Sequence, residues 1–181
     1  MSGSGRVHER TILDALEGMD PVSLDSSVWR ITRAGRDAIR GSGASGRWSP
    51  GGSIEVLYTS VERDGAMAEI GFRLALEPVW PSRIQHEIHE IRVQTSKTLH
   101  FVDTHGLANF GVDVARYESF DYAATQALAA AAHFMEFDGL LVPSARHGSH
   151  NLVVFMDRDG AASLETLTTE TVDWTNWRRR R

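Results

Sequence analysis

Leu140-Leu141-Val142-Pro143-Ser144-Ala145-Arg146-His147-Gly148-Ser149-His150-Asn151-Leu152-Val153-Val154-Phe155-Met156 is two short apolar runs on either side of a polar loop. Leu140–Val142 and Asn151–Met156 are too short for helices and rich in Val and Leu, so both read as buried strands. Upstream, Ser119 stands where a cap would, before an alanine-rich segment from Asp121 to Phe137 that predicts a long, closely packed helix ended by Asp138-Gly139. Downstream, Asp159-Gly160 reads as a turn and 163–172 as a last strand.

Further out, Ile84–Val93 alternates polar and apolar residues and predicts a strand. Leu99–Asp103 predicts another, followed by a turn or short helix through Gly106 and Phe110. Ile54–Thr59 is a strand, Ser60 a candidate N-cap, and Glu62–Leu74 a helix with Ala66, Met67, Ile70 and Leu74 as its apolar stripe. Residues 41–53 carry five glycines and predict a loop. Val28–Thr32 is a strand with Trp29 and Ile31 on one face and Arg30 on the other. Thr11–Glu17 is a short helix stopped by Gly18. Strands and helices without regular βαβ alternation predict an α+β domain with a mostly antiparallel sheet. There is no internal repeat. Residues 1–20 are expected to be a tail and short helix, with 1–7 disordered, and 21–181 the folded domain.

The 181 residues suit a single domain, and 41% hydrophobic residues suffice for an ordinary core. A formal charge of −5 argues against a duplex-binding face, and no direct nucleic-acid contact is expected. The basic block Arg178–Arg181 reads as a solvated tail or as a patch for an acidic partner. With no cysteine, disulfides and thiolate metal sites are excluded, which fits the cytoplasm. No apolar run is long enough to cross a bilayer, and the N-terminus has no secretory pattern.

Several residue types point toward a dinucleotide. Arg30 and Arg47 supply planar guanidiniums that bind phosphate oxygens bidentately. Arg47 sits in the glycine-rich loop, whose amides can also reach a phosphate, although the loop lacks both the Rossmann and the P-loop spacing. Tyr58 offers a ring to stack on a cationic nicotinamide. Glu69 is a carboxylate that can stabilise positive charge on a ribose as a glycosidic bond breaks. Ser144 suits a phosphate or a ribose hydroxyl and lacks the arrangement of a nucleophile. Each has a plainer alternative: salt bridges for the arginines, a core tyrosine, an i,i+4 pair of Glu69 with Arg73, and a turn serine. His86-Glu87-Ile88-His89 fails the zinc-protease spacing and its histidines alternate faces, so no metal is expected. Gln126 is the polar residue in the middle of the long helix, facing either a site or solvent.

Taken together, Val28-Trp29-Arg30, Gly46-Arg47-Trp48, Tyr58-Thr59-Ser60 with Ala68-Glu69, and Pro143-Ser144-Ala145-Arg146 with Asn151-Leu152 resemble the RES-domain family, named for its Arg, Glu and Ser. The resemblance runs from Val28 to Phe155 and departs from the family at Ser49, where an asparagine is expected. It implies a split, ADP-ribosyltransferase-like sheet with NAD as substrate in a cleft. It implies Glu69, Arg30 and Ser144 as catalytic and Arg30, Arg47, Tyr58 and Ser144 as NAD-binding residues. It also implies a growth-arresting toxin of a toxin–antitoxin pair, with an antitoxin partner carrying an Xre-like DNA-binding domain. The acceptor of ADP-ribose is left open among water, phosphate and a protein side chain. The rival readings are a non-catalytic nucleotide- or partner-binding module, and a ribonuclease using His147 and His150.

Overall fold

Val22–Arg33 (β1) is the strand that closes the sheet. In the computed structural model, which describes residues 8–160 and 162–181, β1 pairs antiparallel with His86–His100 (β3) along most of its length and touches Val56–Ser60 (β2) at Trp29↔Ser60. From β2 the ladder runs antiparallel to His150–Phe155 (β5) and on to Gly139–Pro143 (β4). It returns to β3 through a short parallel pairing, Thr98↔Gly139 to His100↔Leu141. Five strands therefore form a ring, β1-β2-β5-β4-β3, and Ala162–Thr171 (β6) lies antiparallel outside it on β3. The α+β class and the predominance of antiparallel pairs are as expected. The expected split of the sheet is corrected to closure.

Closure depends on the length of β3, which is one continuous strand across the two that the sequence pattern predicts. Its first part pairs with β6 and its last three residues with β4. The polar stretch 94–98 looks like a break, yet Thr95 and Thr98 are buried and bond to each other at 2.6 Å. A satisfied hydroxyl pair can be buried in a strand where apolar residues would otherwise stand.

The two apolar runs behave as strands covered on both faces. Leu152 and Val154 of β5 point to a cluster with Val28, Leu57, Ile91 and Val93. Val153 and Phe155 point the other way, to a second cluster with Leu128, Ala129 and Ala132 of Ala123–Phe134 (α4) and with Ile12 and Leu16 of Arg10–Glu17 (α1). The alanines let α4 approach the sheet closely. A third cluster joins Ile31 and Ile88 to Ala66 and Met67 of Arg63–Ala75 (α2) and to Trp174 of Trp174–Arg179 (α5). Thr104–Ala108 (α3) follows β3.

Some boundaries move. Ser60 belongs to β2 and does not cap α2, whose N-cap is Glu62. Helix α4 starts at Ala123 and stops at Phe134, because Glu136 turns left-handed (φ 63°) and the Asp138 carboxylate accepts the N–H groups of Ser96 and Lys97 on β3. Helix α5 was not anticipated, and its Trp174 belongs to the core. The expectation for residues 1–7 lies outside the described residues. Among the described residues no helix is long and apolar enough to cross a membrane.

Candidate active site

Helix α2 follows β2 almost directly, and this carries Glu69 to the loop between β4 and β5. Glu69 Oε1 accepts hydrogen bonds from Ser144 Oγ (2.6 Å) and Asn151 Nδ2 (2.8 Å). The direction of the first bond is fixed locally. The main-chain N–H groups of Arg146 and His147 donate to Ser144 Oγ at 3.1 and 3.2 Å, leaving its proton for the carboxylate. Asn151 is oriented in turn by Ser60, whose hydroxyl donates to Asn151 Oδ1 at 3.0 Å. Hydrogen bonds to an ionised acceptor are shorter and stronger than neutral ones, so Glu69 is held in one position.

The glycine-rich loop is tied down from two sides. Gly46 and Ser49 exchange main-chain hydrogen bonds, and Gln126 of α4 donates to Ser45 Oγ and to the Gly46 carbonyl. The Trp48 N–H donates to Tyr58 Oη at 3.0 Å. A Cβ at position 46 would lie 2.8 Å from that oxygen, so glycine is what lets the loop close over the tyrosine. Burial pushes the Tyr58 phenol up to about 12 against the smaller opposing effects of the Trp48 N–H, Arg73 and Arg47.

The arginines are placed differently. Arg30 Nη1 donates to the carbonyls of Ala38 (2.6 Å) and Arg40 (2.9 Å), and burial pulls its pKa down. Arg47 donates to the carbonyls of Tyr117 and Ser119, with its guanidinium 5.0 Å from the ring of Tyr117 and 4.8 Å from that of Tyr122. Such cation–aromatic contacts hold the group without neutralising it.

These elements surround a cleft with two lobes. The larger, about 290 Å³, is lined by Trp29, Arg30 and the Ser42–Gly46 part of the loop. The smaller, about 50 Å³, is lined by Arg47, Trp48, Phe72, Phe120, Tyr122 and Arg146. Tyr58, Glu69, Arg73 and Asn151 line both and form the wall where the lobes meet. The cleft thus combines cationic ends, aromatic walls and a fixed carboxylate at its middle.

Of the residues singled out from sequence, Arg30, Arg47, Tyr58 and Glu69 line the cleft, the two arginines in different lobes. Ser144 lies behind Glu69, outside the lining residues, and its hydroxyl is directed at the carboxylate. The plain alternative for Glu69, an i,i+4 ion pair with Arg73, is corrected: Ser144 and Asn151 draw the carboxylate toward the sheet instead. Asn151, Ser60 and Arg73 had no site role assigned. The available signal was that Asn151 is the polar first residue of an otherwise apolar run. His147 bonds to Ser149, and His150 donates toward the carbonyls of Phe101 and Val102; neither lines the two lobes. His86 accepts from Trp174 Nε1 at 3.1 Å, while His89 sits between Thr32 and Thr169. Among the described residues no three His, Asp or Glu side chains are grouped as for a metal ion.

A probable NAD(+) phosphorylase of Mycobacterium tuberculosis is 33% identical over 121 residues, which cover 66% of this chain and 56% of that protein. The match therefore spans little more than half the length of that relative. The NAD(+) phosphorylase MbcT of Mycobacterium bovis is 24% identical over 149 residues, 79% of each chain. The crystal structure of the M. tuberculosis MbcT–MbcA toxin–antitoxin complex contains a chain of the same fold, with a TM-score of 0.82, 21% identity, and coverage of 94% of this chain and 97% of that one. The profile of the RES domain matches residues 27–175, most of the chain, and the protein belongs to the RES domain family.

Proposed function

We propose that this protein is the toxin of a toxin–antitoxin pair and acts by consuming NAD. The nicotinamide–ribose bond breaks, nicotinamide leaves with the bonding pair, and ADP-ribose passes to an acceptor. The relatives named NAD(+) phosphorylase favour inorganic phosphate as that acceptor over water or a protein side chain. The observation that carries the reading is Glu69: one carboxylate, oriented by two donors, at the junction of two arginine-lined lobes. As the bond breaks, positive charge builds on the ribose, and a carboxylate already in position stabilises it without reorganising.

In this reading Arg30 and Arg47 anchor the dinucleotide from the two lobes, and Tyr58 positions the nicotinamide. Glu69 is the catalytic residue. Ser144 orients the carboxylate through its 2.6 Å bond and does not itself meet a ribose hydroxyl. We take 21–181 as the RES domain, related to the ADP-ribosyltransferases, with α1 as an extension docked on α4. The toxin works in the cytoplasm, neutralised by an antitoxin with an Xre-like DNA-binding domain, which takes over any contact with DNA.

The test is to incubate the pure protein with NAD and measure free nicotinamide with phosphate, with buffer alone and with cell lysate. Release that depends on phosphate, with a phosphorylated ADP-ribose as second product, is expected. No release under any of the three conditions overturns catalysis in favour of a binding module. Co-purification with the product of an adjacent gene tests the antitoxin.

A further inference from the structure

Among the described residues four arginines line the two lobes: Arg30, Arg47, Arg73 and Arg146. Three have guanidinium donors on main-chain carbonyls, Arg146 through the Glu118 carbonyl at 2.8 Å with its guanidinium stacked 3.6 Å from the Phe72 ring. The Arg73 guanidinium makes no hydrogen bond or ion pair among the described residues. It is nonetheless on the shared wall, beside Glu69, Tyr58 and Asn151, and its charge is close enough to Tyr58 to act against the burial that raises that phenol. Residues four apart on a helix have Cβ atoms roughly 6 Å apart, so Arg73 stands one turn from Glu69.

We propose that Arg73 binds the anionic acceptor, inorganic phosphate, at the junction of the lobes; this deepens the NAD-phosphorolysis reading and rests on it. A phosphate dianion that approaches the ribose must come near the Glu69 carboxylate, and two like charges in a partly desolvated cleft repel. A guanidinium one turn away offsets that repulsion, and an uncommitted one has its whole fork of donors available for a bidentate grip. Arg30 and Arg47, already tied to carbonyls and placed in separate lobes, suit the larger ligand. In the step itself a phosphate oxygen forms the bond to ribose C1′ as the C1′–nitrogen bond breaks. The departing pair neutralises the pyridinium, so nicotinamide leaves uncharged, and the phosphate proton stays on the product or passes to solvent.

The experiment compares wild type, Arg73→Gln and Arg73→Lys. Loss of one charge-assisted contact predicts a phosphate KM raised about tenfold or more in Arg73→Gln, with the NAD KM nearly unchanged. Partial recovery of the phosphate KM is expected in Arg73→Lys, which keeps the charge and loses the fork. An unchanged phosphate KM overturns the assignment. So does an NAD KM that rises by the same factor, which would give Arg73 to the dinucleotide's own phosphates. A second readout needs no turnover: the ³¹P line width of inorganic phosphate with the full chain, expected to broaden with wild type and not with Arg73→Gln. Equal broadening, or none with wild type, also overturns it. Broadening that depends on Arg73 in a protein that releases no nicotinamide sinks the catalytic reading and leaves the phosphate site standing. Because the Arg73 guanidinium makes no hydrogen bond or ion pair among the described residues, the variants should match wild type in Tm.

Discussion

Helix α2 presents two working faces that do opposite things. One carries Glu69 and Arg73 to the cleft, where hydrogen bonds from Ser144 and Asn151 decide how the carboxylate points. The other carries Gly71 against the Trp177 ring, part of an aromatic stack in which Trp174 lies 5.3 Å from Trp177 and 5.7 Å from Trp80. The polar face has little apolar area to bury and so contributes modestly to stability. The aromatic face has no groups for the chemistry but fixes where the helix sits. The lesson is that position and chemistry are separately encoded on one rigid rod, and variants on each face should fail in different ways.

The strongest way to break that division is Glu69→Gln. The amide oxygen can still accept from Ser144 and Asn151, so the fold should be kept. The charge is gone, and nicotinamide release should fall by about 10²–10³, the usual loss when one transition-state stabiliser is removed. Steady-state kinetics beside a thermal melt measure both halves. Full turnover in this variant would remove Glu69 from its role.

Gly71→Val attacks the other face. A Cβ at this position would lie 2.2 Å from a Trp177 ring carbon, so the ring must move. Overpacking of this kind costs about 2 kcal/mol. In a chain of this size that is a Tm lower by about 5 °C. Nicotinamide release per folded molecule should stay within about twofold of wild type, since the change touches no group that meets substrate. A fall in turnover with unchanged Tm would show that the two faces are coupled.

The two faces also differ in how far the sequence disclosed them. Glu69 stood out because the chemistry of breaking a glycosidic bond asks for a carboxylate, and Arg30, Arg47 and Tyr58 because a dinucleotide asks for guanidiniums and a ring. What holds Glu69 was hidden. Ser60 looked like a helix cap because a serine before a helix usually is one. Its hydroxyl is instead directed across the sheet to Asn151, 91 positions away, a pairing set by the register of β2 on β5. Short-range patterns cannot carry such information. The closed ring was missed for the same reason: a polar stretch within β3 broke the alternation, and its buried Thr95–Thr98 hydroxyl pair is visible only once the strand is paired. The tryptophans of α5 read from sequence equally as an interface or as core, because burial depends on α2 being packed beside them.

Ser144→Ala sharpens the comparison from within the polar face. It removes one of the two donors to Glu69 and leaves Asn151. A hydrogen bond to a charged group contributes about 1.5–3 kcal/mol, so kcat should fall about ten- to a hundredfold, with the NAD KM nearly unmoved. An NAD KM that rises while kcat holds would return Ser144 to substrate binding. Ser144→Thr, which keeps the hydroxyl, should recover part of the rate.

The smallest effect concerns Tyr58, which belongs to the cleft but is held as core residues are. Tyr58→Phe removes the acceptor of the Trp48 N–H and should cost about 1 kcal/mol at pH 8, measured by urea unfolding. The sign of its pH dependence follows from the raised phenol. Below the ordinary tyrosine value of about 10, folded and unfolded chains are both protonated and the stability is whole. Between there and about 12 the unfolded chain ionises while folded Tyr58 stays neutral, so stability falls as pH rises. The variant escapes that part of the loss, although the similarly raised Tyr117 keeps its own share in both proteins. The stability gap between wild type and Tyr58→Phe should therefore narrow from pH 8, close, and reverse toward pH 12, since the loss between about 10 and about 12 exceeds about 1 kcal/mol. A gap that stays constant would mean that the phenol ionises as readily inside the cleft as in water, and that the loop from Gly46 to Trp48 does not seal it.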